Sequence, residues 1–163
     1  MKSKTILVFL AMLALAAAVR AQTRISGTLQ CVKPEQHMIE VGDQPNHFLG
    51  VTRVECTWSR PIEIAGVQAT TGVSVSSDET TGNRSSVRGH HMGRMANGDA
   101  FHTAFMGFAL LKDGAVQNTR GRWSFVGGTG KLAGIKGEGN YTGKPGPEGT
   151  MTYEVDGDYT LTR

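Results

Sequence analysis

Beyond residue 21, apolar and polar residues alternate with a period of two, and no long segment keeps the 3.6-residue period of an amphipathic helix. The alternating runs are rich in β-branched and aromatic residues, and Gly, Asn and Asp punctuate them at intervals suited to strands and turns. This pattern predicts strands over Arg24–Val32, His47–Trp58, Ile62–Ser76, Arg84–Met95, Asp99–Leu111, Ala115–Val126, Gly137–Gly143 and Thr150–Thr162, with a shorter one around His37–Val41. About eight strands without a linker or a strong internal repeat predict one all-β domain, a barrel or a sandwich. Twenty-two glycines favour a single closed antiparallel barrel, because tight turns and sharply bent strands need residues without a Cβ.

Two hairpins can be registered from their turns. Asn97-Gly98 and Asp113-Gly114 are favoured two-residue turn pairs between alternating segments. Two-residue loops would put His91 opposite Ala104, Gly93 opposite His102, Ala104 opposite Trp123 and His102 opposite Phe125. Alternation then gathers His91, His102, Met106, Phe108, Trp123 and Phe125 on the apolar, inward face. Arg88, Arg94, Arg120 and Arg122 fall on the outer face with Phe101, Thr103 and Phe105. Phe101 and Phe105 are out of character there and read as edge cover or a subunit contact, which makes a homo-oligomer a candidate assembly.

The first 21 residues read as a cleaved signal peptide rather than as fold. Lys2 and Lys4 precede an apolar run from Ile6 to Val19, and Val19-Arg20-Ala21 suits a peptidase that cuts before Gln22. The run is short for a bilayer span, and nothing later resembles a membrane helix, so no stable membrane anchor is expected. Residues 22–163 then form the barrel domain, exported to the periplasm or beyond. An oxidising compartment would let the two cysteines, Cys31 and Cys56, pair as a structural disulfide. Their spacing matches neither Cys-x-x-Cys nor a zinc pattern.

Export also changes the charge argument. The full chain carries 17 Lys and Arg against 14 Asp and Glu, and three of those cations (Lys2, Lys4, Arg20) leave with the leader. The sequence then shows no Lys/Arg stripe with interleaved aromatics, which argues against nucleic acid or an anionic membrane surface as partner.

The most specific local pattern runs Trp123-Ser-Phe125-Val-Gly127-Gly128-Thr129-Gly130-Lys131-Leu132-Ala-Gly134-Ile135-Lys-Gly137. It resembles the Gly-Gly-Thr-Gly turn that joins two late strands in the allene oxide cyclase and dirigent-type barrels, over about 25 residues. It is no P-loop, since Lys131 is followed by Leu132 and Phe125 stands where the first glycine belongs. The reading of the turn itself is structural. What the resemblance implies is a lumen that takes a small apolar molecule, in families whose barrels steer a reaction as much as perform one. The families' functional carboxylates cannot be matched to positions here.

The candidate lumen residues are therefore His91, His102, Met106, Trp123 and Phe125. On the predicted register His91 and His102 are diagonal neighbours, roughly 7 Å apart at Cβ, able to hold a polar ligand head or move a proton. No metal site is expected, because His90 points away from His91 and His37 and His47 are distant. No Gly-x-Ser-x-Gly elbow exists, and the serines of Ser74–Ser77 are expected in loops. No cofactor is indicated. The leading expectation is an exported barrel that binds a small apolar or aromatic molecule. The alternatives are an isomerase or cyclase using the same lumen and a filled structural envelope protein.

Overall fold

A computed structural model describes residues 22–161; the leader reading lies outside the described residues. Ten strands follow one another: β1 (Thr23–Cys31), β2 (Glu35–Glu40), β3 (His47–Arg60), β4 (Glu63–Ile64), β5 (Val67–Thr81), β6 (Arg84–Met95), β7 (Ala100–Lys112), β8 (Ala115–Gly128), β9 (Ile135–Pro145) and β10 (Met151–Leu161). Eight of them close an antiparallel barrel in the order β3-β1-β10-β9-β8-β7-β6-β5, with β5 returning to β3. The two short strands are additions, β2 along β3 and β4 along the start of β5.

The predicted Ile62–Ser76 strand is two elements. Ala65 and Gly66 both take positive φ (53° and 77°), the geometry of a type I′ turn. Alanine is a poor residue for it. The Tyr159 hydroxyl, 94 positions away, accepts the Ala65 N–H at 2.9 Å and holds the turn. Ser74 to Ser77, expected in loops, lie inside β5.

The first hairpin departs from the predicted register by one residue. Gly98 alone has positive φ (89°), and the Asn97 side chain instead accepts the Asp99 N–H at 3.1 Å. The loop is thus three residues long, a turn closed by Gly98 N–H to Met95 O with Gly98 as its left-handed residue. His91 faces Thr103, not Ala104, and β7 turns over: Phe101, Thr103 and Phe105 point into the barrel. The second turn is the expected two-residue Asp113-Gly114, but Gln117 bulges out of β8 beyond it, between pairs Leu111–Val116 and Leu110–Asn118. That bulge reverses the facing a second time, so Trp123 and Phe125 point inward as the alternation predicted. Phe101 is 2% exposed and belongs to the core, which removes the basis for the subunit contact.

Cys31 and Cys56 sit directly opposite each other on β1 and β3 and form the disulfide. One end of the barrel is a closed floor. Ile62, Ile64, Leu132 and Ile135 pack there with Met95 and Phe101, all at most 4% exposed. The Gly-Gly-Thr-Gly segment builds this floor. Thr129 extends the ladder of β7 through both its N–H and its hydroxyl, each 2.8 Å from the Ala100 backbone. Gly130 (φ 53°) then turns the chain against the Asp99 carboxylate, which accepts the Lys131 N–H at 3.1 Å. The short 3-10 turn Gly130–Leu132 delivers the Leu132 side chain into the barrel end.

Candidate functional site

Above the floor the barrel is open. A cavity of about 1220 Å³ runs up to a mouth framed by the connections after β1, β5, β7 and β9, including Lys33, Asn83, Asp113 and Gly146. Large rings line it without filling it, because inward glycines on neighbouring strands let them lie against the wall. A Cβ on Gly139 or Gly157 would come within 2.7 or 2.6 Å of the Trp123 indole, so only glycine admits the ring at that height. The indole N–H is satisfied by Asn140 O at 3.2 Å. Phe125 meets Trp123 edge-on at 5.0 Å and Phe101 at 5.8 Å, which makes an aromatic wall on β7 and β8.

Polar groups occupy the adjoining stretch of wall. On β5, Ser74, Ser76, Asp78 and Thr80 all line the cavity, two residues apart. The lowest of them, Ser74, pairs with His91 of β6, its hydroxyl 2.9 Å from Nδ1. His91 is 7% exposed, and burial lowers its pKa to about 4, so the ring is neutral at ordinary pH. Among the described residues its Nε2 has no hydrogen-bond partner, nor has the Trp58 indole nitrogen; both side chains contribute to the lining, but neither nitrogen is open to the lumen. Higher up, Asp78 accepts a hydrogen bond from Thr52 and lies across from Tyr141 and Tyr153. Burial raises the Asp78 carboxyl above its ordinary value and pushes both phenols to about 12.

Of the residues expected in the lumen, His91, Trp123 and Phe125 line it. His102 and Met106 do not. Both lie on the outer side of β7, Met106 61% exposed, because the three-residue first hairpin turned that strand over. The His91–His102 pair is therefore not formed. The residues missed were Ser74, Asp78, Phe101, Thr103 and Phe105. A period-two run of Ser74, Ser76, Asp78 and Thr80 was visible in the sequence, but a polar stripe on a strand ordinarily faces water.

The outer wall corrects a second expectation. Arg84 and Arg120 both pack on Phe108, their guanidinium carbons 4.1 and 4.7 Å from the ring centroid. In the adjacent row Arg88 and Arg122 flank Met106. None of the four has a carboxylate within 4 Å among the described residues. A cationic stripe with an interleaved aromatic is thus assembled from three strands, where the sequence showed none. Among the described residues no three His, Cys, Asp or Glu side chains are grouped to hold a metal ion.

No family model matches the chain, and no curated protein matches it either. Solved structures with a similar arrangement include a protein of unknown function in the DUF3224 family from Shewanella oneidensis MR-1, with TM-score 0.48 and 15% identity over 88% of this chain and 99% of that one. A pyocyanin demethylase aligns with TM-score 0.41 and 14% identity over 81% and 98%. A conserved protein of unknown function from Rhodopseudomonas palustris aligns with TM-score 0.44 and 7% identity over 85% and 98%. These likenesses concern the arrangement of strands and carry no activity over to this chain.

Proposed function

We propose that the barrel binds one small, largely aromatic molecule in its lumen. The observation that carries this reading is the open cavity of about 1220 Å³, walled by Phe101, Trp123 and Phe125 and by the polar row Ser74, Ser76, Asp78 and Thr80. A ligand would bury its rings against the three aromatics, at about 25 cal/mol per Å² of apolar surface removed from water, and turn its polar atoms to the β5 row. The cavity volume is ample for such a molecule, since ligand sites span about 300–1,000 Å³. A barrel filled for purely structural reasons is at odds with that open volume.

The reading includes export. The leader-like residues 1–21 and the Cys31–Cys56 disulfide support an oxidising compartment outside the cytoplasm. A second reading, an isomerase or cyclase of the allene oxide cyclase type, draws on His91. The Ser74 hydroxyl could take a proton from a bound substrate as it passes its own to His91 Nδ1, 2.9 Å away.

Native mass spectrometry of the purified protein, before and after denaturation, tests the binding reading first. Titration with the neutral dye N-phenylnaphthylamine follows. We expect either a co-purified mass that leaves on unfolding or saturable uptake of one dye per chain with quenching of tryptophan fluorescence. Absence of both would sink the proposal. Substituting His91 with Gln separates the two readings: binding survives with modest loss, whereas a proton-transfer activity would not.

A further inference from the structure

Formal charge inside the lumen is concentrated on one side chain. Among the cavity-lining residues Lys33 and Asp113 belong to the mouth connections, and Asp78 alone carries a carboxylate from the barrel wall between mouth and floor. Thr52 Oγ1 donates to its Oδ2, and the Ser76 hydroxyl lies 3.4 Å from both of its oxygens. No Lys, Arg or His nitrogen lies within 4 Å of it among the described residues.

What faces Asp78 is aromatic. In the eight-strand ring β9 lies diametrically opposite β5, so Tyr141 lines the lumen on the far side from this carboxyl, its ring laid over Gly121 and Gly107. Tyr153 packs edge-on to Tyr141 at 6.0 Å, and Phe105 does the same from the other side of the ring system at 6.2 Å. The charge of Asp78 reaches both phenols and helps raise them. A carboxylate held in such a chamber with hydroxyl donors but no counter-ion is costly. An organic cation would supply the missing charge and present itself to the ring faces, which attract cations.

We infer that the upper lumen is a cation site, with Asp78 as counter-ion and Tyr141, Tyr153 and Phe105 as its walls, for the alkyl- or arylammonium end of the ligand. Ser74 lines the lumen four residues further down β5, about 13 Å at the usual rise per residue, beside the ligand's other end. This inference rests on the lumen being a binding site, and it names the ligand class.

Two compounds of the same shape test it. Phenyltrimethylammonium and tert-butylbenzene differ in charge, and each is titrated against bound N-phenylnaphthylamine. An uncharged apolar pocket would favour the neutral compound, because the cation must give up its hydration. We expect the ammonium compound to displace the dye at a concentration at least tenfold lower in the wild type. Asp78→Asn should shrink that ratio at least tenfold when both displacements are referred to the variant's own affinity for the dye. Equal or better displacement by tert-butylbenzene in the wild type overturns the cation site and leaves the binding lumen standing. A ratio unchanged by Asp78→Asn overturns the role of Asp78. A wild-type protein that takes up no dye overturns both readings. If the Asn variant does not fold, the wild-type comparison decides alone.

Discussion

Ser74 on β5 and His91 on β6 face each other directly, the hydroxyl 2.9 Å from Nδ1, at the bottom of an aromatic cavity. Whichever tautomer is present, this contact commits one ring nitrogen, and Nε2 has no partner among the described residues. It also ties a titratable group to the stability of the fold.

Burial lowers His91 from its ordinary 6.5 to about 4. Between those values the unfolded chain binds a proton that the folded chain does not. Wild-type stability should therefore fall as pH drops from 6.5 toward 4, by on the order of 3 kcal/mol from this residue. His47 has the opposite sign: its contacts with Asp43 and Glu79 raise its pKa, so its contribution is present below 6.5 and fades as pH rises through the raised value. Urea unfolding of wild type and His91→Gln at pH 7.5 and 4.5 isolates the His91 share. A difference between the two proteins that does not change with pH would refute it.

Reducing the disulfide should lower stability. The bond closes a loop with a sequence separation of 25, worth about 3 kcal/mol through the unfolded chain. Cys31→Ser with Cys56→Ser should lower the urea midpoint accordingly. An intact-mass measurement of the purified wild type should find it two hydrogens light.

Gly157 supports Trp123. A methyl group there would meet the indole at 2.6 Å and crowd the Glu138 carbonyl as well. Gly157→Ala should cost about 1–3 kcal/mol as an overpacked site. Tryptophan emission should change at the same time, since the ring must leave the wall; an unaltered spectrum and midpoint would contradict this packing.

Leu132 is the plug that the Gly-Gly-Thr-Gly turn delivers. It is 2% exposed, and Leu132→Ala should destabilise by about 2–5 kcal/mol. A loss under half a kcal/mol would mean that the floor does not depend on it.

His102 and Met106 give the opposite expectation. Both are on the outer wall, so His102→Ala and Met106→Gln should each shift stability by less than about 0.5 kcal/mol and leave dye uptake unchanged. Loss of binding in either would restore the two-residue register for the first hairpin.

The sequence by itself determined the strands, their approximate bounds and the single all-β domain. It also determined the structural nature of the Gly-Gly-Thr-Gly turn. These follow from alternation and turn chemistry, which are local. Trp123 and Phe125 face inward as expected only because the Gln117 bulge offsets the longer first hairpin. Only the tertiary structure decided which way β7 faces, because one Asn97 side chain closing on Asp99 lengthened a loop by a residue, and a period-two strand converts that residue into a reversal of every side chain. The same holds for the polar stripe of β5. Ser74, Ser76 and Asp78 look like a solvent face in one dimension, and only barrel closure, with β5 returning to β3, turns them onto a lumen roomy enough to keep them wet or bound. The cationic outer wall was invisible for a related reason. Arg84, Arg88, Arg120 and Arg122 are spread over nearly forty positions, and cross-strand pairing is what places them around Phe108 and Met106.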